Sequence, residues 1–535
     1  MDVKANKNTK IDLTAKYNNR VQYFKGGSAN DDELQLIVTT DANSNYYKIR
    51  LIYDFKINQL IIAWLPDETD TQELKVNMMI IRHNQEQAQQ INFKEGAQLT
   101  GIEKAYAVMT FDKYFLNNKN SKTGDPLPQA EEKSENERKF YWISFPFDVK
   151  LSDVSGFGEY GDYWIMEYYD GEARAKEGYW AETETFWKYI TNKNYILKAG
   201  QGYVLYLNIN KMKFESPVFA NTSEVSLFFP SLSLPKVISG VLPTAVDVPE
   251  HTCTIERDNR NIYDSNWNLI GVPGFADIKD VTIGESSHKE LNKEIGADCV
   301  SFYYKYLPGT NTYSAKTQTE KFQTMYAYMV QFAGTINWQA KTMPAQLAAR
   351  RTGSTPSQYD LRLELAQGEE TDQTFVQLKE ADVTAEFDMN VDMTKIFNSG
   401  MNIYTLTGSN AIQVAGNALP MEKATVPVGV RVDAAGEYTF RMPDGTDGIA
   451  VTLVDNATGT HTNMLMSEYT VTLNAGTIEN RFYLVVDPDR TATSVENIGE
   501  EAKGDKAKGV EKFLIDGKLF IRTADGIFDA KGQRL

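Results

Sequence analysis

Apolar and polar positions along this chain alternate mostly with a period of two, the period of a half-buried strand. Tyr46-Tyr47-Lys48-Ile49-Arg50-Leu51-Ile52-Tyr53 predicts one strand, and Leu60 to Trp64, Val76 to Arg82 and Ala105 to Phe111 predict three more. Turns rich in Asp, Asn and Gly separate them, as in a sandwich. Residues 1–115 therefore read as an N-terminal β domain. The polar stretch that follows carries Gly124, Asp125, Pro126 and Pro128, and 116–139 reads as a linker or long loop.

Two later stretches resemble each other. Tyr141-Trp142-Ile143-Ser144-Phe145-Pro146 aligns with Asn268-Leu269-Ile270-Gly271-Val272-Pro273, and Gly202-Tyr203-Val204-Leu205 aligns with Ala327-Tyr328-Met329-Val330. The prolines lie 127 residues apart and the tyrosines 125. Each copy carries an aromatic strand between its anchors, Tyr163 to Tyr169 in the first and Phe302 to Tyr306 in the second. A duplicated β module explains two anchors at nearly one offset, and each module should pair an early strand with a late one. The copies are taken as 140–240 and 241–350.

Alternation returns in Tyr359 to Leu365, Val426 to Val432, Gly436 to Phe440, Val451 to Asp455 and Phe482 to Val486, so 351–488 reads as a β-sandwich. Residues 489–508 are rich in charge, Gly and Ala, and predict a flexible linker. In the last stretch, 509–535, Asp516-Gly517 and Asp525-Gly526 lie between strand-like runs and predict two hairpins. Two hairpins are too little for an independent core, so the stretch should need a partner surface. The fold class is mostly β: tandem β-sandwich-like domains with a short C-terminal β-hairpin tail.

The ending, Gly509 to Ile521 and Asp529 through Leu535, resembles the short C-terminal tails of type IX secretion cargo and related bacterial surface proteins. Gly532-Gln533-Arg534-Leu535 is similar to their strand–Gly–Arg–apolar ending. Val426 to Val430, Gly436 to Phe440, Asp455 to Thr460, Tyr469-Thr470-Val471 and Glu479 to Phe482 are similar to β domains that precede such tails. Tyr53 to Lys56 with Ala63 to Pro66, and Tyr141 to Asp148, look like parts of large surface proteins of this group. The resemblance implies a sorting tail carried by Asp516, Gly517, Asp525, Gly526, Gly532 and Arg534. It also implies secretion or outer-membrane machinery as a partner, and an extracellular or outer-cell-surface location. It implies no ligand. Met1-Asp2-Val3-Lys4 has no hydrophobic signal region, so an exported form is expected to be a mature chain or a fragment.

Length and composition sharpen this picture. A chain of 535 residues suggests three to five domains, and 29 Tyr, 26 Phe and 7 Trp lean toward pleated sheet. The net charge of −17, with no concentrated basic patch, repels phosphate backbones and argues against nucleic acid. Leu60 to Leu65 is among the longest apolar runs and is only a strand's length, so no membrane insertion is expected. Cys253 and Cys299 fall in one module, where a disulfide and two small buried residues both fit.

Catalytic signatures are weak. Gly156-Phe157-Gly158-Glu159-Tyr160-Gly161 has dinucleotide-fingerprint spacing, but a strand pattern follows it where a helix must hold the pyrophosphate. His83, His251, His288 and His461 are scattered, without ligand spacing. No nucleophile elbow or phosphate loop occurs. Glu159, Asp162, Glu167, Asp170 and Glu172 crowd one region and read as strand edges and a turn at Asp170-Gly171. Asp444 to Gly448 and Asp487-Pro488-Asp489 read as turns rather than calcium loops. No enzyme activity and no cofactor are expected.

The aromatic cluster from Tyr163 to Tyr189 serves core and inter-domain packing on one reading. On the other, Trp180 and Trp187, with Tyr179 and Tyr189, stack on sugar rings or anchor a protein. The expected function is a non-catalytic secreted or cell-surface β protein for adhesion, binding or structure. Two alternatives are a glycan-binding surface protein and the accessory C-terminal region of a larger secreted hydrolase. Polysaccharide or a host surface protein is the expected partner.

Overall fold

A computed structural model of the chain describes residues 3–4, 33–39, 49–54, 59–64, 74–75, 78–83, 90–93, 99–100, 102–112, 138–177, 186–208, 224–238, 245–252, 265–274, 280–283, 302–308, 312–317, 322–339, 358–380, 383–389, 391–444, 449–488, 511–515, 518–523 and 526–529. The protein is mostly β, with tandem sandwich-like sheets and a short hairpin tail. It divides into two compact units, Met1–Asp489 and Arg490–Leu535. No described helix is long and apolar enough to cross a membrane. Cys253, Cys299 and residues 489–508 lie outside the described residues.

Near the N-terminus a five-stranded sheet runs in the order Val3–Lys4, Glu33–Thr39, Ile49–Asp54, Gln59–Trp64, Gln90–Phe93. A separate sheet places Lys104–Asp112 between Met78–His83 and Glu224–Pro230. Residues on both sides of the polar stretch 117–138 thus share one sheet. Its apolar face, including Ile81, Ala107, Met109, Phe111, Leu227 and Phe229, is buried.

The two repeat copies form four-stranded sheets of identical order, first–fourth–second–third. In copy 1 the strands are Arg138–Ser144, Trp164–Tyr169, Trp187–Tyr189 and Gly202–Asn208. In copy 2 they are Trp267–Gly271, Phe302–Leu307, Thr312–Thr317 and Ala327–Gln331. The early strand pairs with the late one in matching register: Ser144 faces Gly202 in copy 1, and Gly271 faces Ala327 in copy 2. Alternation then assigns the faces. Tyr141, Ile143, Tyr203 and Leu205, with Ile270, Tyr328 and Val330, form the inner face and join the core of the sheet built on Lys104–Asp112. Trp142, Val204, Trp267, Leu269, Tyr304 and Met329 form the outer face and join a second core.

The copies meet by reciprocal contacts. Ser144 N donates to Met325 O at 3.2 Å, and Gly271 N donates to Gly200 O at 2.9 Å. Ile143 bridges to Tyr326, and Ile270 bridges to Gln201. Subtracting the repeat offsets turns each member of these pairs into the other. The interface is therefore a pseudo-two-fold one, built like that of an isologous dimer.

After copy 1's second strand, Asp170 caps the helix Gly171–Glu177 by accepting Ala173 N at 2.9 Å. The expected turn at Asp170-Gly171 is thus a helix start, because an Asp followed by good helix formers satisfies the first free N–H groups.

Residues 358–488 form one sheet of eleven strands. Its main path runs Thr460–Asn463, Ala450–Asp455, Gly476–Asp487, Ala424–Val432, Met401–Thr407, Ile412–Pro420, Glu370–Lys379, Gln358–Gln367, Gly436–Arg441, Tyr469–Leu473. Met393–Thr394 pairs off this path with Ile412–Pro420. The sheet curls over its own core of Leu361, Leu363, Val428, Val430, Phe440 and Phe482. Its two ends are clasped by side chains. Arg481 donates to both carboxylate oxygens of Asp455 at 2.9 and 2.7 Å, and Tyr469 Oη donates to the same carboxylate at 2.7 Å.

The tail is a three-stranded antiparallel meander, Glu511–Ile515, Lys518–Thr523 and Gly526–Asp529. Ile515 pairs with Lys518 across a two-residue connection, as the first Asp-Gly pair requires. The second turn differs from expectation. Gly526 pairs with Thr523, so the connection sits one residue earlier than Asp525-Gly526. That register sets Ile521 opposite Phe528. Asp516, Gly517, Asp525, Gly532 and Arg534 lie outside the described residues.

Candidate functional site

Period-two alternation lifts Phe140 and Trp142 from the first strand of copy 1, and Val204 and Tyr206 from the fourth, onto the outer face. Trp187 joins them because it pairs with Tyr169 at the sheet edge. Copy 2 contributes Tyr313, and the 358–488 domain contributes Phe397, Asn398 and Ser399. Together these residues line a cavity of about 280 Å³. That is just below the range of about 300–1,000 Å³ usual for small-ligand sites.

Six of the nine lining residues are aromatic and none is charged, so the cavity suits a neutral group with an apolar face. Its walls are packed. Trp142 lies 6.4 Å from Trp187 and 5.5 Å from Tyr313 between ring centroids, and Trp187 meets Tyr169 edge-on at 4.9 Å. Behind them Phe140 stacks on Tyr306 at 4.1 Å. Burial, then the neighbouring phenols of Tyr313, Tyr141 and Tyr206, push the Tyr306 hydroxyl far above the ordinary tyrosine range, so it stays neutral.

Asn398 fixes the third wall. Its Oδ1 accepts Tyr313 N at 2.7 Å, and its Nδ2 donates to Tyr313 O at 3.0 Å and to Asp372 Oδ1 at 3.2 Å. One amide thereby mimics a strand partner for copy 2's edge. Asp372 is held in turn by Lys395 Nζ at 2.5 Å and Ile403 N at 2.7 Å. Both ends of the Lys395–Asp372 pair are buried. Breaking such a pair is costly, so it keeps this wall rigid.

Of the residues singled out by sequence, Trp187 lines the cavity. Tyr189 shares its strand but is 43% exposed and stacks on Tyr160 at 6.2 Å instead. Tyr179 and Trp180 lie outside the described residues. Sequence reasoning missed Phe140, Trp142, Tyr206, Tyr313 and Phe397. The repeat held a signal for one of them, since Tyr313 occupies in copy 2 the register position of Trp187 in copy 1.

The other candidates separate. The glycine-rich stretch forms bends and a turn leading into the strand Trp164–Tyr169. A Cβ at Gly156 would lie 2.3 Å from Ser226 O, so close backbone approach explains that glycine. Glu172 pairs with Lys176 on the helix surface. His83 is buried against the Tyr326 ring at 4.3 Å, and His251 lies against Gly171. Asp444 pairs with Arg362 at 2.8 Å. Among the described residues, no three or more His, Cys, Asp or Glu side chains converge as a metal site.

A family model described as a domain of unknown function, DUF8693, matches residues 361–486, the span of the eleven-stranded sheet. No curated protein and no solved structure matches the chain.

Proposed function

We propose that this chain is a non-catalytic binding protein of the bacterial exterior, acting in adhesion. The observation that supports this reading is the aromatic cavity around Trp187, where both repeat copies and the 358–488 domain each supply a wall. Aromatic anchors inside a preformed, uncharged hollow favour a bound ring or apolar side chain. Surface delivery is supported by the resemblance of the tail to type IX sorting signals and by its three-stranded form.

One experiment with two arms tests the proposal. Cells displaying the full precursor are scored for adhesion to immobilised polysaccharides and extracellular proteins, with and without Trp187→Ala. Adhesion should fall at least tenfold in the variant, a loss of about 1.4 kcal/mol or more. Equal adhesion of the two to every surface would remove the cavity from function. In the second arm, deleting residues 509–535 should leave the protein inside the cell; unchanged surface display would remove the sorting role.

A further inference from the structure

We infer that the cavity's occupant is an extended polypeptide segment bearing an aliphatic side chain. This rests on the reading of the cavity as a binding site. The ground for it is that the molecule holds an occupied counterpart of the same surface.

The registers make the two outer faces comparable position by position. Trp187 corresponds to Tyr313, Val204 to Met329 and Tyr206 to Gln331. Glu167 pairs with Val204, and Tyr304 pairs with Met329, so Glu167 corresponds to Tyr304. On copy 2 this face is covered by the segment from Met393 to Asn398. Gln331 Oε1 accepts Thr394 N at 2.8 Å. The Tyr304 hydroxyl accepts Ile396 N at 2.8 Å and donates to Thr394 O at 3.3 Å. Met393 and Ile396 sink into the same apolar cluster as Trp267, Tyr304 and Met329. Side chains from the second and fourth strands thus bind peptide backbone, while apolar floor positions bind side chains.

Copy 1 retains part of this device. Tyr206, which lines the cavity, can accept or donate at the position of Gln331, while Glu167, at the position of Tyr304, lies outside the lining. The floor is more aromatic, with Trp142 in place of Leu269. The covering segment of copy 2 ends with Phe397, Asn398 and Ser399, which form the wall of the copy 1 cavity. One face is therefore filled from within the chain, and its counterpart is left as a hollow. Sheet edges likewise take extended peptides by combining backbone bonds with side-chain pockets, there through the edge strand's main chain and here through side chains of the face.

The test is calorimetric titration of the full chain with a peptide of the sequence Val391 to Ser399, a scrambled version, and neutral hexasaccharides of glucose and xylose. The peptide should bind one to one and the scrambled version should not. Trp187→Ala should weaken binding at least tenfold, and Ser399→Trp, at an exposed cavity residue where folding is not at stake, should block it. Peptide binding that ignores Ser399→Trp overturns the inference, because the peptide then sits elsewhere. Hexasaccharide binding that Ser399→Trp blocks, with no peptide binding, overturns the inference but upholds the cavity as a ligand site. If no probe binds, both readings fail together.

Discussion

Two buried ionisable residues set opposing pH dependences. Asp392 is 2% exposed, yet its carboxylate accepts Ala418 N at 2.7 Å and Asp388 N at 2.8 Å. Burial outweighs these bonds and pushes its pKa up to about 8 from an ordinary 3.8. Between those values the folded state keeps a proton that the unfolded chain has released. Its contribution is therefore complete below pH 3.8 and is lost as pH rises through 8, at about 1.4 kcal/mol per unit. His83 acts in reverse. Burial first, then Lys305, lowers its pKa to about 3 from 6.5, so its contribution is complete above 6.5 and is lost as pH falls toward 3. The two slopes cancel from about pH 4 to 6.5, which hides Asp392 in the wild type alone. Asp392→Asn removes one slope. The urea stability of the wild type relative to this variant should fall steadily from pH 4 to pH 8. A difference that does not vary with pH would show that Asp392 titrates normally.

At the scale of elements, the repeat was legible because its anchors have work to do in both copies. The hydroxyls of Tyr203 and Tyr328 accept the N–H groups of Lys198 and Gln323, at 2.6 and 2.7 Å. These are equivalent bonds that tie the fourth strand to the turn before it. That turn imposes a left-handed conformation at Gly200, φ 79°, and at its counterpart Met325, φ 65°. The axis itself was illegible, since it is lined by Ser, Gly and Ala, which carry no periodic signal. Equivalent residues touch there: a Cβ on Gly271 would lie 2.1 Å from the Cβ of Ser144 and 3.0 Å from Gln201 O. Ser144 Oγ already donates to Tyr326 O, the counterpart of Gln201 O, at 2.6 Å. Gly271→Ser alone should therefore destabilise the protein by about 1–3 kcal/mol through overpacking. Combining it with Ser144→Gly moves the single hydroxyl across the axis, where it meets Gln201 O. A double-mutant cycle by chemical denaturation should show most of the loss restored. Additive losses would mean that the two sides of the interface are not equivalent.

For the whole molecule, alternation shows which face of a strand is buried but not which neighbour buries it. The strands of Trp142 and Val204 were therefore readable, whereas those of Trp187 and Tyr313, and the cavity itself, were not. Its walls come from Phe140 and Ser399 at the extremes of the sequence span, and only folding brings them together. The same joint makes the repeat pair and the 358–488 domain share a core, in which Phe302 and Tyr304 pack with Phe375, Ile396 and Ala415. A shared core implies shared unfolding, and the tryptophans can test it. All seven precede residue 339, so their fluorescence reports the region before the eleven-stranded sheet and the core it shares with that sheet. The Asp455–Arg481–Tyr469 clasp lies in that sheet. Burial raises the Asp455 pKa, but Arg481, Tyr469 and Ala457 N–H prevail and hold it far below the usual carboxylate range. Arg481→Met leaves this buried carboxylate without its cation and should cost about 3 kcal/mol. If the unit unfolds as one, the guanidinium midpoint seen by tryptophan fluorescence should drop together with that seen by far-UV circular dichroism. A fluorescence midpoint that stays in place while the dichroism midpoint falls would mean that the shared core does not couple the two regions, and that the third wall of the cavity can detach from the other two.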